Sequence, residues 1–294
     1  MLKNLDNGIL FMLASALISA LNGALTKMLT QDMPALEVVF FRNIIGLFII
    51  LYALKHTPPK LTGGKFHLLF TRGFFGFMAM ILFFYTIGTI PLGEAITLNK
   101  TSPFFVTILA FFLLKEQLRL RTLVALVIGF SGVVLIAKPF GMEFSSIHIL
   151  GVLGGFFAAA AYTTIKKIKD IYDSRVIVLS FVGVGTLMPA LLFMLAPFVH
   201  VDESLAFLFP EFFVPQTLFV WFLIGVMALI STLSQWLLTK AYSAKNLSIV
   251  GVISYTNIPF AIGFGYLLGD AFPDRLTFVG ITLIVIGGVL VSRK

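Results

Sequence analysis

Ten stretches of this sequence are long apolar runs, separated by charged residues or by breaks rich in Pro and Gly. A helix needs about 20 such residues to cross the hydrocarbon core of a bilayer. The runs lie near 7–28, 35–54, 66–87, 92–114, 121–138, 147–166, 175–199, 216–239, 247–269 and 276–292. Connections between them are mostly short and leave no room for a soluble domain. The longest, Val201–Pro215, holds Asp202, Glu203 and Glu211 and no Lys or Arg. Only 12% of residues are charged, whereas a soluble domain carries about 25%, so no water-facing surface can be built. The expectation is an all-α integral membrane protein with ten transmembrane helices.

Orientation follows from Lys and Arg, which set topology more strongly than acids do. With ten spans, one side holds Lys3, Lys55, Lys60, Lys65, Lys115, Arg119, Arg121, Lys166, Lys167, Lys169, Arg175, Lys240, Lys245, Arg293 and Lys294. The other holds Lys27, Lys138 and Arg275. Fifteen against three places both termini in the cytoplasm, and one helix more or fewer would destroy the alternation. The net charge of +8 is thereby explained without nucleic acid. The first run is too long for a signal peptide and has no evident cleavage site, so it is read as the first span. The absence of Cys removes disulfides, thiolate nucleophiles and Cys–metal sites.

A shift of 156 residues lays Thr97-Leu98-Asn99-Lys100-Thr101-Ser102-Pro103-Phe104 on Ile253-Ser254-Tyr255-Thr256-Asn257-Ile258-Pro259-Phe260. The same shift lays Gly132-Val133-Val134-Leu135 on Gly288-Val289-Leu290-Val291. Spans four and five therefore match spans nine and ten. Five helices per half is an odd number, so the second half enters the membrane upside down relative to the first. Inverted repeats with a binding site at their midplane interface are a recurring plan of secondary transporters. The halves are expected at residues 1–140 and 145–294.

At these residues the sequence resembles the drug/metabolite transporter superfamily, in its ten-helix EamA branch. The family pattern of a mid-helix Pro followed by an apolar stretch ending in Leu-x-x-Glu is matched by Pro103 through Leu113-Leu114-Lys115-Glu116. A Gly-rich helix follows, from Gly129 and Gly132 to Lys138-Pro139. Phe41-Arg42-Asn43, Arg72-Gly73-Phe74-Phe75-Gly76 and Pro91-Leu92-Gly93-Glu94-Ala95 are similar to the same branch. The second copy departs, since Leu267-Leu268-Gly269-Asp270 has Asp for Glu and stands two residues closer to its Pro; the role of Asp270 is left open. The resemblance implies a secondary transporter or exporter of small metabolites, with a central cavity between two five-helix bundles.

Ionisable groups at bilayer depth are costly and are candidates for function. Arg42 lies seven residues into span two and Lys100 eight into span four. At 1.5 Å per residue both stand roughly 10–12 Å below the outer surface. Two cations at one level facing one cavity make an anion site, with Arg42 suited to a bidentate carboxylate or phosphate and Lys100 acting as a point charge. The bland alternative for Arg42 is an ion pair with Glu37 or Glu94. Arg72, near the inner end of its span, is expected to snorkel toward the headgroups. Glu94 is a candidate counter-ion, coupling site or interface residue. Asn99 flanks Lys100, and Pro103 frees a carbonyl on that turn, as Pro259 would in the second copy. The second half supplies Ser231, Gln235, Trp236, Tyr255, Thr256 and Asn257, and Asn22 stands in the first span. Trp236 and Tyr255 could stack on a planar solute or pack between helices. Gly129/Gly132 and Gly287/Gly288 are read as close helix packing, and Lys166-Lys167-Ile168-Lys169 as a topology anchor.

The favoured function is alternating-access transport of an anionic or zwitterionic metabolite, such as an organic acid, amino acid or derivative, across a bacterial inner membrane. The alternative is a flippase for a lipid-linked headgroup. An enzyme is disfavoured, because His56, His67, His148 and His200 all fall in loops or at span ends and no nucleophile or metal spacing sits at depth. No cofactor and no metal are expected. The partners are a small-molecule substrate and the lipid bilayer, not nucleic acid, and a homodimer is compatible with the sequence.

Overall fold

The computed structural model describes residues 7–59, 63–114, 120–137, 145–199, 202–243 and 253–292. Among these residues the chain is helical, with no β-strand. The helices are α1 (Asn7–Asp32), α2 (Ala35–His56), α3 (Phe66–Thr89), α4 (Leu92–Asn99), α5 (Ser102–Leu114) and α6 (Leu120–Ala137). There follow α7 (Ser146–Ile168), α8 (Ser174–Leu195), α9 (Leu218–Tyr242), α10 (Asn257–Leu267) and α11 (Arg275–Ser292). Six of them, α1, α2, α3, α7, α8 and α9, are long and apolar enough to cross a membrane. Lys3, Lys60, Lys115, Arg119, Lys138, Lys245, Arg293 and Lys294, on which part of the charge argument rests, lie outside the described residues, as do Glu116 of the Leu-x-x-Glu pattern, His200 and the start of span nine.

Helix starts follow local chemistry. Pro34 and Pro91 precede α2 and α4, where a missing N–H costs nothing. Ser145 caps α7 by accepting from the Ile147 amide, and Asp173 caps α8 by accepting from the Arg175 amide at 2.9 Å. Thr217 does the same for α9. Such caps satisfy amides that have no partner within the helix.

Span four, expected as one helix over 92–114, is two. The chain leaves helical geometry at Lys100–Thr101 between α4 and α5. Pro103 has no N–H to return to the Asn99 carbonyl, and its ring crowds that turn. The break is accommodated by α7: a Cβ on Gly155 would stand 2.4 Å from Thr101 Oγ1, 3.1 Å from the Asn99 carbonyl oxygen and 3.3 Å from that of Leu98. In the second half, Ser254–Thr256 forms a turn of 3₁₀-helix directly before α10, so Thr256 occupies a break as Lys100 does.

The core is built where α2, α3, α8 and α9 meet, around Leu36, Val38, Val39, Phe77, Ile81, Val178, Phe181, Ile224 and Met227. Outside it, α1 packs on α9 and α3 on α7, while α6 and α11 form a pair of their own. That pair is glycine-mediated, as the sequence suggested. A Cβ on Gly132 would stand 2.5 Å from the Gly280 carbonyl oxygen, and one on Gly280 2.7 Å from that of Gly132.

Polar ties hold the two ends. At one, Asp270 pairs with Lys27 and accepts from the Leu92 amide at 2.8 Å, while Lys27 also donates to the Ile90 carbonyl at 3.2 Å. This settles what Asp270 touches: it joins the end of α10 to α1 and to the start of α4. In the first turn of α2, Glu37 accepts from the Phe213 amide and so fastens the loop after α8 to α2. At the opposite end, Arg175 donates to the Thr57 carbonyl at 2.8 Å and pairs with Asp173 at 3.1 Å.

Replacing Gly132 by Leu forces apart two backbones in contact and is expected to cost at least about 1–3 kcal/mol, read as a lower Tm in detergent. The Arg175 hydrogen bond holds the Asp173 carboxyl below its ordinary value of 3.8. Its contribution is therefore complete above that value and is lost as pH falls through the depressed folded value. Asp173→Ala is expected to cost about 0.5–2 kcal/mol at neutral pH and to flatten the acid limb of the Tm–pH profile; an unchanged acid limb would count against the tie.

Candidate functional site

A cavity of about 100 Å³ lies where helices from both halves meet. Asn22 reaches it from α1, Arg42 from α2, Arg72 from α3, Asn99 and Lys100 from the break after α4, Gln235 from α9 and Asn257 from the start of α10. Six residues singled out from sequence (Asn22, Arg42, Asn99, Lys100, Gln235 and Asn257) thus converge on one space. Its apolar walls include Met80, Phe83, Phe84, Ile96 and Phe181.

Arg42 is 4% exposed. Its Nη1 donates to Asn43 Oδ1 at 3.1 Å and lies against the Met80 sulfur, while Asn43 is itself anchored by donating to the Val39 carbonyl at 2.7 Å. The guanidinium carbon stands 5.4 Å from the Phe181 ring centroid and 5.9 Å from that of Phe84. The alternative for Arg42, an ion pair with Glu37, does not form, because the Glu37 carboxylate faces the loop and takes the Phe213 amide instead. Pro34, at the N-cap of α2, offers no N–H that a carboxylate three residues on could accept, which leaves Glu37 free to reach the loop. Glu94 does not pair with Arg42 either. It lies in a separate recess with Asp270 and Asp274 and accepts from Thr277 Oγ1 at 3.4 Å.

Arg72 corrects the sequence reading. It is 1% exposed and does not snorkel. Its guanidinium carbon stands 4.8 Å from the same Phe181 ring that Arg42 faces. The cause is Gly76, one turn further along α3: a Cβ there would lie 2.4 Å from Arg72 Nη1 and 2.4 Å from Phe181 Cδ2. Without a side chain at Gly76 the guanidinium folds inward along its own helix and meets α8. The Arg-x-x-x-Gly spacing was the sequence signal for this placement, whereas nothing in the sequence marked Phe181.

Among the described residues no carboxylate comes within ion-pair distance of Arg42, Arg72 or Lys100. Arg42 Nε, Arg72 Nε and Arg72 Nη1 have no hydrogen-bond acceptor, and Asn22 Oδ1 and Asn257 Oδ1 have no donor. Buried polar groups are ordinarily paired, so these five atoms are exceptions, and all of them belong to residues that line the cavity. Trp236 and Tyr255 do not line it. Trp236 packs on Phe11 at 6.5 Å and beneath Lys240, and Tyr255 is 3% exposed in the apolar cluster of Ile258, Ile281 and Ile284. Pro103 and Pro259 sit in the first turns of α5 and α10 and shape the breaks rather than the walls.

A helical membrane protein with long apolar helices around a polar central cavity has the build of a small-molecule carrier. The profile of the EamA-like transporter family matches residues 6–138. The pseudopaline exporter CntI of Pseudomonas aeruginosa is 32% identical over 98% of this chain and 97% of its own. The riboflavin transporter of Vibrio cholerae is 25% identical over 97% of this chain and 93% of its own. An S-adenosylmethionine uptake transporter of Rickettsia prowazekii is 26% identical over 97% and 92%. One solved crystal structure superposes with a TM-score of 0.68 over 97% of this chain and 95% of its own at 17% identity, a likeness of fold. The chain belongs to the EamA-like transporter family and is a multi-pass membrane transporter, not an enzyme.

If Gly76 exists to admit Arg72 against Phe181, Gly76→Ala is expected to cost about 1–3 kcal/mol, and most of that penalty should vanish in a Phe181→Leu background. A double-mutant cycle on Tm reads the coupling; additive penalties would mean the two residues do not share the space.

Proposed function

We propose that this transporter moves a small anionic or zwitterionic solute, such as an organic acid, amino acid or derivative, across a bacterial inner membrane by alternating access. The observation that carries the reading is the convergence of Arg42 and Lys100 on one cavity with no acid among the described residues to neutralise them. An anion entering there would replace the water it leaves with a guanidinium fork and an ammonium, which are strong partners in a low-dielectric setting. Asn22, Asn99, Gln235 and Asn257 add neutral amides that can orient the rest of the solute.

We read the chain as two inverted five-helix halves, residues 1–140 and 145–294. The packing supports this. Exchanging α1 with α7, α2 with α8, and α3 with α9 turns the α1–α9 contact into the α3–α7 contact, and the α3–α8 contact into α2–α9. The α2–α8 and α6–α11 pairs map onto themselves. Alternating access then amounts to rocking one half against the other about the cavity. On the charge count, both termini face the cytoplasm and the Lys27–Asp270 tie faces outward.

Lys100→Ala is expected to abolish solute uptake into proteoliposomes while the protein still inserts and melts cooperatively. Normal transport by that variant would overturn the site. Movement of a fluorescent lipid, with no solute flux, would favour a headgroup flippase instead.

A further inference from the structure

Among the described residues the central cavity is lined by three cations, Arg42, Arg72 and Lys100, and by no Asp or Glu. Uncompensated charge at membrane depth is expensive, and removing the partner of a buried ion costs more than the pair itself returns. A ring face attracts a guanidinium but accepts none of its in-plane N–H bonds, so Phe181 leaves Arg42 Nε and both free Arg72 nitrogens wanting. One carboxylate satisfies one guanidinium fork. It would leave the second guanidinium as it stands now.

The spacing suits one molecule. Arg42 and Arg72 carbons lie 5.4 and 4.8 Å from the Phe181 centroid, so they stand no further apart than the two distances together, about 10 Å. At roughly 30 Å³ per water the cavity of about 100 Å³ holds about three waters, so a solute with two carboxylates enters only as the rocking of the halves proposed above widens it. The same walls hold two acceptors without donors, Asn22 Oδ1 and Asn257 Oδ1.

Resting on the reading of this cavity as the transport site, we propose that its substrate carries two anionic groups and an N–H donor, as an acidic amino acid or an N-substituted derivative does. Arg72 is the residue that sets the requirement for the second anion, and Gly76 is what lets it do so.

The full chain in lipid nanodiscs is titrated with L-glutamate, L-glutamine, succinate, acetate and chloride at fixed ionic strength. Glutamate is expected to bind about tenfold or more tighter than glutamine, and succinate than acetate, with glutamate ahead of succinate. In Arg72→Gln the ratio of dicarboxylate to monocarboxylate affinity should collapse toward one. Arg72→Lys, which keeps the charge but not the fork, should retain part of it and controls for folding. Equal affinities for mono- and dicarboxylates in the wild type, chloride binding as tightly as either, or an unchanged ratio in folded Arg72→Gln would each overturn the proposal. The underlying reading fails in a different way: no anion of any class binds, and Lys100→Ala alters nothing.

Discussion

Two guanidinium groups and one ammonium are held at membrane depth with no carboxylate among the described residues beside them, and much of the surrounding structure is what makes that arrangement tolerable. Charges in such a place are ordinarily paired, neutralised or drawn to the interface. Here none of these occurs. Arg42 is steadied by Asn43 and by two aromatic faces, Arg72 by one, and the cavity keeps the charged ends from being fully enclosed in hydrocarbon. Aromatic faces are weak substitutes for anions, worth about 0.5–2 kcal/mol, so an anion held beside these guanidiniums would be a stronger partner than the rings are. A ligand that binds such a site in the folded protein stabilises the bundle by mass action.

The backbone carries the same logic. The break at Lys100–Thr101 interrupts a span inside the membrane, where unsatisfied carbonyls are costly unless buried in protein or facing a cavity. Gly155 lets α7 approach the Asn99 and Leu98 carbonyls, and Thr101 is covered by the same approach. Arg72 depends in turn on Gly76. At Gly155 a missing side chain admits polar groups from the neighbouring span, and at Gly76 it admits one from its own helix, so the polar site and the close packing are one design.

Much of this was legible in the sequence, for identifiable reasons. Apolar run length is a strong signal because the bilayer enforces it, and the α1, α2, α3, α7, α8 and α9 spans fall where it placed them. The depths of Arg42 and Lys100 could be counted from helix rise, and the Pro103 repeat pointed to the break region, though not to an actual interruption of span four. Arg72 was misplaced because distance to the nearest helix end was weighed and the glycine one turn on was not. Trp236 and Tyr255 are aromatic residues with a polar tip, which periodicity assigns equally to a cavity or to a helix contact; their neighbours Phe11 and Ile258 decide it. Asp270 had no legible role because its partners Lys27 and Leu92 are far away in sequence and meet it only through the packing of α1 and α4 against α10. The same distance hid Glu37's attachment to Phe213.

The cavity is also lopsided in a way that bears on how such a carrier could work. All three cations come from the first half, on α2, α3 and the break after α4, while the second half contributes Gln235, Asn257 and the Phe181 ring. The counterpart of Lys100 at the 156-residue offset is Thr256, and that of Thr101 is Asn257. Each half therefore brings a break to the site, but only one brings charge. On the alternating-access reading, the half that moves past the anion makes neutral contacts that can be exchanged cheaply, whereas a charge-assisted bond broken at each stroke would cost roughly twice a neutral one. The strong contacts to the solute would then stay in one block throughout. The bonds to be remade would be those at the two ends, Lys27–Asp270 and Glu37–Phe213 on one side and the Arg175 contacts on the other. The Lys27–Asp270 and Arg175–Asp173 pairs are partly exposed, so water can substitute for those partners as they are lost, and the cost of opening them is kept small compared with that of stripping the anion from Arg42 and Lys100.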